Sequence, residues 1–264
     1  MPGRTLVRAG SGQLQIMVAG QGQGVVLFHS MLADHASFSG VFEPLSRSHK
    51  VTSVSLPGFG VSDPVRGELE VVADHLAAAL GSCDLGVRPV FIGNGYGAFL
   101  AIVLAMRHPH LADKLVLVGC GTAFSESGRA AFVQMRSKAK TQGLSAVADI
   151  AMARLFSGDF REKHPDVLAQ CREHFLAMSP DTFDDACQSL ATLDLGNHLH
   201  KVVVPVLVVV GEGDEATPPV MARQLVAALP NARLHVLPGC AHVPQLQDPQ
   251  SFLAAIREFV DTQA

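Results

Sequence analysis

The sequence predicts an α/β fold, a mostly parallel central sheet flanked by helices with a helical insertion. Three observations carry that expectation. Short apolar runs without alternation recur along the chain; helical periodicities fill the gaps between them; and the stretch from Thr122 to Thr192 carries helical patterns with no convincing strand. Apolar runs of roughly four to eight residues suit strands buried on both faces, as in a parallel sheet covered by helices.

Taken in order, the strand candidates are V-V-L-F at 25–28, V-T-S-V-S-L at 51–56, P-V-F-I-G at 89–93, L-V-L-V-G at 115–119 and V-P-V-L-V-V-V-G at 204–211. Helical spacing of apolar residues marks Leu69 to Leu80, Tyr96 to His108, Pro219 to Leu229 and Pro249 to Val260, and Pro109 stands where the second of these stops. Strand and helix alternate, the rhythm of a doubly wound sheet. Between 122 and 192 that rhythm gives way to three or four amphipathic helices. The chain therefore divides into a core of residues 1–121 and 193–264 and a helical lid at 122–192, because helices inserted at the strand ends of an open sheet cover its ligand crevice. An extra helical layer that only pads the core is the blander alternative.

A length of 264 residues suits one large domain with an insertion. Hydrophobic residues at 48% against 17% charged exclude disorder. Twenty Lys and Arg against 24 Asp and Glu leave a formal charge of −4 with no long basic run. That balance argues against nucleic acid or an anionic membrane as partner and leaves a small-molecule substrate. The five cysteines are an odd number, widely spaced, with no C-x-x-C pair, so neither a disulfide framework nor a structural metal is implied. The N-terminal residues lack the apolar stretch of a signal peptide, and the run from Phe91 to Met106 is too short and too glycine-broken to span a bilayer. A cytoplasmic protein is expected, of unassigned oligomeric state.

The most informative stretch is P-V-F-I-G-N-G-Y-G-A-F-L-A: a buried strand, glycines at 93, 95 and 97, then a helix. Gly93, Gly95 and Ala98 satisfy the dinucleotide pattern G-x-G-x-x-A. That reading needs an acid at the end of the next strand, where the sequence offers only Gly119, Cys120 and Gly121. A nucleophile elbow, G-x-S-x-G, fits the strand-turn-helix better, with Gly95 where the nucleophile would be. Glycines that merely let strand and helix pack closely are the alternative, and two further residues weigh against it. Asp214 follows the strand at 204–211, in a loop where Thr217 and Pro218 read as the cap and first residue of the next helix. His242 follows the last strand, R-L-H-V-L, and precedes the final helix, giving the chain order elbow, Asp, His. The loop F-H-S-M-L-A-D-H after the first apolar strand can offer a backbone N–H from Met31 that pairs with that of Tyr96 to hold an oxyanion. His29 there reads as a structural imidazole. Ser30 reads as a substrate-binding residue; a displaced nucleophile is the less favoured reading, since serine is an ordinary loop residue. Cys120 and Cys240 read as small buried thiols.

These residues resemble the α/β-hydrolase superfamily. The matching pieces are H-S-M-L at 29, S-L-P-G-F-G-V-S-D-P at 55, G-N-G-Y-G-A at 93, G-E-G-D-E-A-T-P-P at 211 and G-C-A-H-V-P at 239. H-S-M-L together with L-A-T-L-D-L-G-N-H-L ahead of the strand at 204 is most similar to the 3-oxoadipate enol-lactone hydrolase group of the β-ketoadipate pathway. The resemblance implies His242 as general base, Asp214 as its orienting acid, Met31 and Tyr96 as oxyanion donors, and a serine at 95, where this chain has glycine. Glycine has no side chain to acylate. Three explanations follow. His242 activates water, or removes a substrate proton, in an enzyme acting on a small ester or an enol-lactone-like lactone; or the chain is a catalytically silent relative that binds a small molecule or partner; or a serine hydrolase was inactivated by Ser-to-Gly engineering at 95. With no Trp and one Tyr, the pocket is expected to be aliphatic and Phe-lined, and the lid residues Arg129, Arg136 and Arg154 are candidates to hold a substrate carboxylate. No metal or organic cofactor is called for.

Overall fold

A computed structural model describes residues 3–9, 12–87 and 89–262. The described chain begins with a hairpin of β1 (Gly3–Ala9) and β2 (Gly12–Ala19), followed by β3 (Gly24–Phe28), α1 (Ser39–Ser46), β4 (Lys50–Val54), α2 (Leu69–Gly81), β5 (Val90–Asn94), α3 (Tyr96–Arg107) and β6 (Lys114–Val118). Five helices come next: α4 (Glu126–Gln142), α5 (Ala148–Leu155), α6 (Gly158–Lys163), α7 (Pro165–Leu176) and α8 (Pro180–Thr192). The α/β rhythm then resumes with β7 (Val206–Gly211), α9 (Pro219–Ala228), β8 (Ala232–Leu237), α10 (Pro244–Gln247) and α11 (Pro249–Asp261).

The eight strands form one sheet in the order β1-β2-β4-β3-β5-β6-β7-β8, parallel from β4 to β8, with β2 antiparallel to both of its neighbours. Alternation along each strand sends its side chains to opposite faces. Val25, Leu27, Val116, Val118, Leu207 and Val209 join Phe42 of α1 and Phe252, Ile256 and Val260 of α11 on one face. Val26, Phe28, Leu115, Leu117, Val206, Val208 and Val210 share the other face with α2, α3, α9 and the inserted helices. Both faces are dry, which is why these strands read as unbroken apolar runs. Truncating one such side chain to alanine costs about 2–5 kcal/mol.

Two elements were not legible. The hairpin alternates Gln13 and Gln15 with buried Leu14 and Ile16, the pattern of an edge with one wetter face, and it carries no apolar run. Helix α1 holds Pro44 and only three buried residues, Val41, Phe42 and Leu45. The strand ends also differ slightly: the predicted strand at 51–56 stops at Val54, and that at 204–211 starts at Val206.

The segment α4–α8 leaves the sheet after β6 and returns before β7. Its two ends are tied to each other, Ala123 bridging Asp194 and the Leu195 N–H donating to Thr122 O at 2.9 Å. It touches the core loops through Arg66, which meets Asp181 at 2.8 Å and Asp185 at 2.7 Å, and through His174, 3.1 Å from Asp34. Among the described residues no helix is long and apolar enough to cross a membrane.

Candidate active site

Gly95 stands between β5 and α3 with φ 54° and ψ −119°, a backbone conformation that L side chains adopt only under strain. Its N–H donates to Val118 O at 2.9 Å, and its carbonyl accepts from Ala98 N at 2.9 Å, which fixes the sharp turn. The elbow geometry expected at 93–97 is present, with no side chain at its apex.

Asp214 and His242 meet as the chain order suggested. Both are buried, and His242 Nδ1 lies 2.9 Å from Asp214 Oδ2. The carboxylate also accepts from Ala216 N and Thr217 N, each at 2.9 Å, and from the Thr217 hydroxyl at 2.8 Å. With Asp214 holding the proton on Nδ1, Nε2 is left as the acceptor facing Gly95. The Thr217 hydroxyl lies 3.2 Å from the same Nδ1. Thr217 is therefore not the helix cap that the sequence suggested: Asp214 captures the turn N–H groups, and α9 begins at Pro219 with Pro218 before it. Gly119, with φ 59°, makes the pair possible, since a Cβ there would stand 2.9 Å from His242 Nδ1 and 3.1 Å from Asp214 Oδ2.

Two side chains not singled out in the sequence hold the His242 loop. Asn94 donates its side-chain N–H to His242 O at 2.8 Å and accepts from Gln245 Nε2 at 3.1 Å. From the helical segment, Leu155 O accepts the His242 N–H at 3.2 Å. Asn94 sits inside the G-N-G motif, and a buried amide at a strand end was the available signal.

The loop after β3 completes the site. His29 is structural, as expected: Nδ1 donates to Ser30 O at 2.9 Å, Nε2 accepts from Leu56 N at 3.0 Å, and burial pushes its pKa down to about 4. A Cβ on residue 95 would lie 2.7 Å from Ser30 Oγ and 2.8 Å from His242 Nε2, so both atoms border the space an elbow side chain would fill. Met31 and Tyr96 line the same pocket. Tyr96 N–H opens α3 and has no intrahelical partner, and neither it nor Met31 N–H has a partner among the described residues. Burial raises the pKa of all five thiols, Cys187 up to about 12 and Cys171 up to about 11, in keeping with the reading of Cys120 and Cys240 as small buried thiols.

Core loops at the C-terminal strand ends supply Ser30, Gly95, Ala216, Thr217 and His242 to the pocket, and the helical segment roofs it with Phe132, Arg154 and Leu190. Its free space is about 30 Å3, room for about two water molecules. The three arginines of the inserted helices separate clearly. Arg129 is spent on the carbonyls of Phe124, Ala191 and Leu193, and Arg136 on Asp184 and Gln188. Arg154 has no ion pair among the described residues; it lies over the Phe132 ring at 5.6 Å, and burial holds its guanidinium below the usual arginine value.

A mostly parallel sheet bearing an elbow after β5, an acid after β7 and a histidine after β8 defines an enzyme-like scaffold of the hydrolase type. The chain belongs to the α/β hydrolase fold family, whose sequence profile matches residues 24–249. It is 29% identical over 259 residues to a pimeloyl-acyl-carrier-protein methyl ester esterase of Nitrosomonas europaea, covering 91% of this chain and 97% of that protein. It is 27% identical over 266 residues to polyketide synthase ThaQ of Burkholderia thailandensis, a match covering 99% of this chain and 13% of the length of ThaQ. In structure it resembles the enol-lactonase from Burkholderia xenovorans LB400, with TM-score 0.91 at 23% identity over 98% of this chain and 100% of that one. That likeness is one of fold.

Proposed function

We propose that the chain hydrolyses a small ester or lactone, with His242 as general base and Asp214 as the acid that orients it. The observation that carries this reading is the buried 2.9 Å contact between Asp214 Oδ2 and His242 Nδ1, with Nε2 turned to the apex of the elbow. His242 takes a proton from the attacking oxygen, and Asp214 stabilises the imidazolium that forms. The N–H groups of Met31 and Tyr96 receive the charge that develops on the carbonyl oxygen. The helices α4–α8 act as a lid, because they carry Phe132, Arg154 and Leu190 over the pocket that His242 lines.

Arg154 gives the substrate a charge. An unpaired guanidinium in a Phe- and Leu-lined pocket favours an ester or lactone that carries a carboxylate. The test is product analysis of a panel of small esters and enol-lactones in 18O-labelled water. Release of the alcohol or enol with one 18O in the acid is the expected result; no product from any member would sink the reading.

A further inference from the structure

We infer that Ser30 is the nucleophile of this site, moved from the elbow to the loop after β3. The inference rests on the ester or lactone hydrolase reading above and deepens it. Ser30 Oγ and His242 Nε2 flank one point, 2.7 Å and 2.8 Å from where a Cβ on residue 95 would stand. Glycine at 95 is what leaves that point open between them. The Ser30 side chain is buried, and the one hydrogen bond described for its hydroxyl is a long 3.5 Å contact received from Leu32 N–H. Its own proton is thus free for donation, and rotation about a single staggered torsion re-aims it.

The oxyanion donors fit the transposition. In an elbow enzyme the donor pair is the N–H that follows the nucleophile and one from the loop after an earlier strand. Here Met31 N–H follows Ser30 as Tyr96 N–H follows residue 95, so exchanging the two positions keeps both donors beside the nucleophile. A water activated directly by His242 would have to occupy the space that Ser30 Oγ borders.

The step balances without a co-reactant. Ser30 Oγ bonds to the carbonyl carbon as its proton passes to His242 Nε2, and the carbonyl electron pair moves onto oxygen. Collapse breaks the bond to the leaving oxygen, which takes that proton from His242 and leaves an acyl-Ser30 ester. Water then gives a proton to Nε2 and its oxygen adds to the acyl carbon. Ser30 Oγ departs, recovering the proton, and the acid is released.

The test treats the whole protein with a serine-directed fluorophosphonate, followed by intact mass and peptide mapping, beside steady-state kinetics on the best ester or lactone. The expected result is a single adduct on Ser30, absent from Ser30→Ala and from His242→Ala, with turnover by Ser30→Ala down roughly a thousandfold or more. Ser30→Cys, which keeps a nucleophile in place, should accumulate a thioester detectable by mass. Turnover by Ser30→Ala within a fewfold of the parent would overturn the inference while leaving the hydrolase reading intact. An inactive, folded Ser30→Ala whose parent takes no label and whose Ser30→Cys forms no thioester would overturn it too, reducing Ser30 to a positioning residue. Absence of any turnover or label in the parent protein would remove both readings together.

Discussion

Placing a methyl group on residue 95 tests how tightly the site is fitted to glycine. Gly95→Ala keeps the backbone at φ 54° and ψ −119°, where a Cβ is strained, and sets that Cβ 2.7 Å from Ser30 Oγ and 2.8 Å from His242 Nε2. His242 has no room to retreat: Asp214 and Thr217 hold its Nδ1 side, and Leu155 and Asn94 hold its backbone. Backbone strain of about 1–3 kcal/mol and overpacking of about 1–3 kcal/mol together lower stability by about 2–6 kcal/mol. At about 2–4 °C per kcal/mol for a chain of this size, Tm falls by roughly 4–24 °C. Urea unfolding should show a lower midpoint with an unchanged slope. Displacing the imidazole by an ångström should cost turnover about a hundredfold. Gly95→Ser meets the same two atoms and should lower turnover as well. Parent-like stability and turnover in Gly95→Ala, or a large gain of esterase activity in Gly95→Ser, would refute the reasoning and favour a serine hydrolase disabled at 95.

Further predictions concern a buried imidazole and the substrate charge. His29 titrates at about 4 in the folded chain against 6.5 unfolded, so between those values the unfolded chain binds the extra proton. Stability is therefore present in full above about pH 7 and falls as pH drops through that window, by about 3 kcal/mol at most from this group. NMR of the ring should show a neutral imidazole at pH 5.5, and titration near 6.5 would contradict the burial argument. Arg154→Met should raise KM for a carboxylate-bearing ester about 10–100-fold and leave its neutral methyl ester within a fewfold. Equal effects on the two substrates would show that Arg154 only packs against Phe132.

The sheet was legible where burial is two-sided, because β3 to β7 need apolar residues on both faces and so declare themselves as runs. The β1–β2 hairpin was not, since an edge with one wetter face alternates Gln with Leu and Ile, and short α1 has too few buried positions to show a period. In the site, Asp214 and His242 were readable because open sheets place chemistry at strand C-termini and chain order pairs them. Thr217, Asn94 and Leu155 were not, because their roles are contacts between segments distant in sequence. Ser30 shows the limit most sharply: in sequence it is one loop serine, and only folding places it across the apex of the elbow from His242. Sequence also could not separate the three arginines of the inserted helices, whose difference lies in which already have partners.

The central claim is that the Asp214–His242 pair is a working base. The most direct measurement is kcat/KM for hydrolysis of a small carboxylate-bearing enol-lactone by the parent protein and by His242→Ala, with both shown to be folded by their unfolding curves. The account predicts measurable turnover by the parent and a loss of roughly a thousandfold or more in the variant. Equal turnover by the two proteins would contradict it.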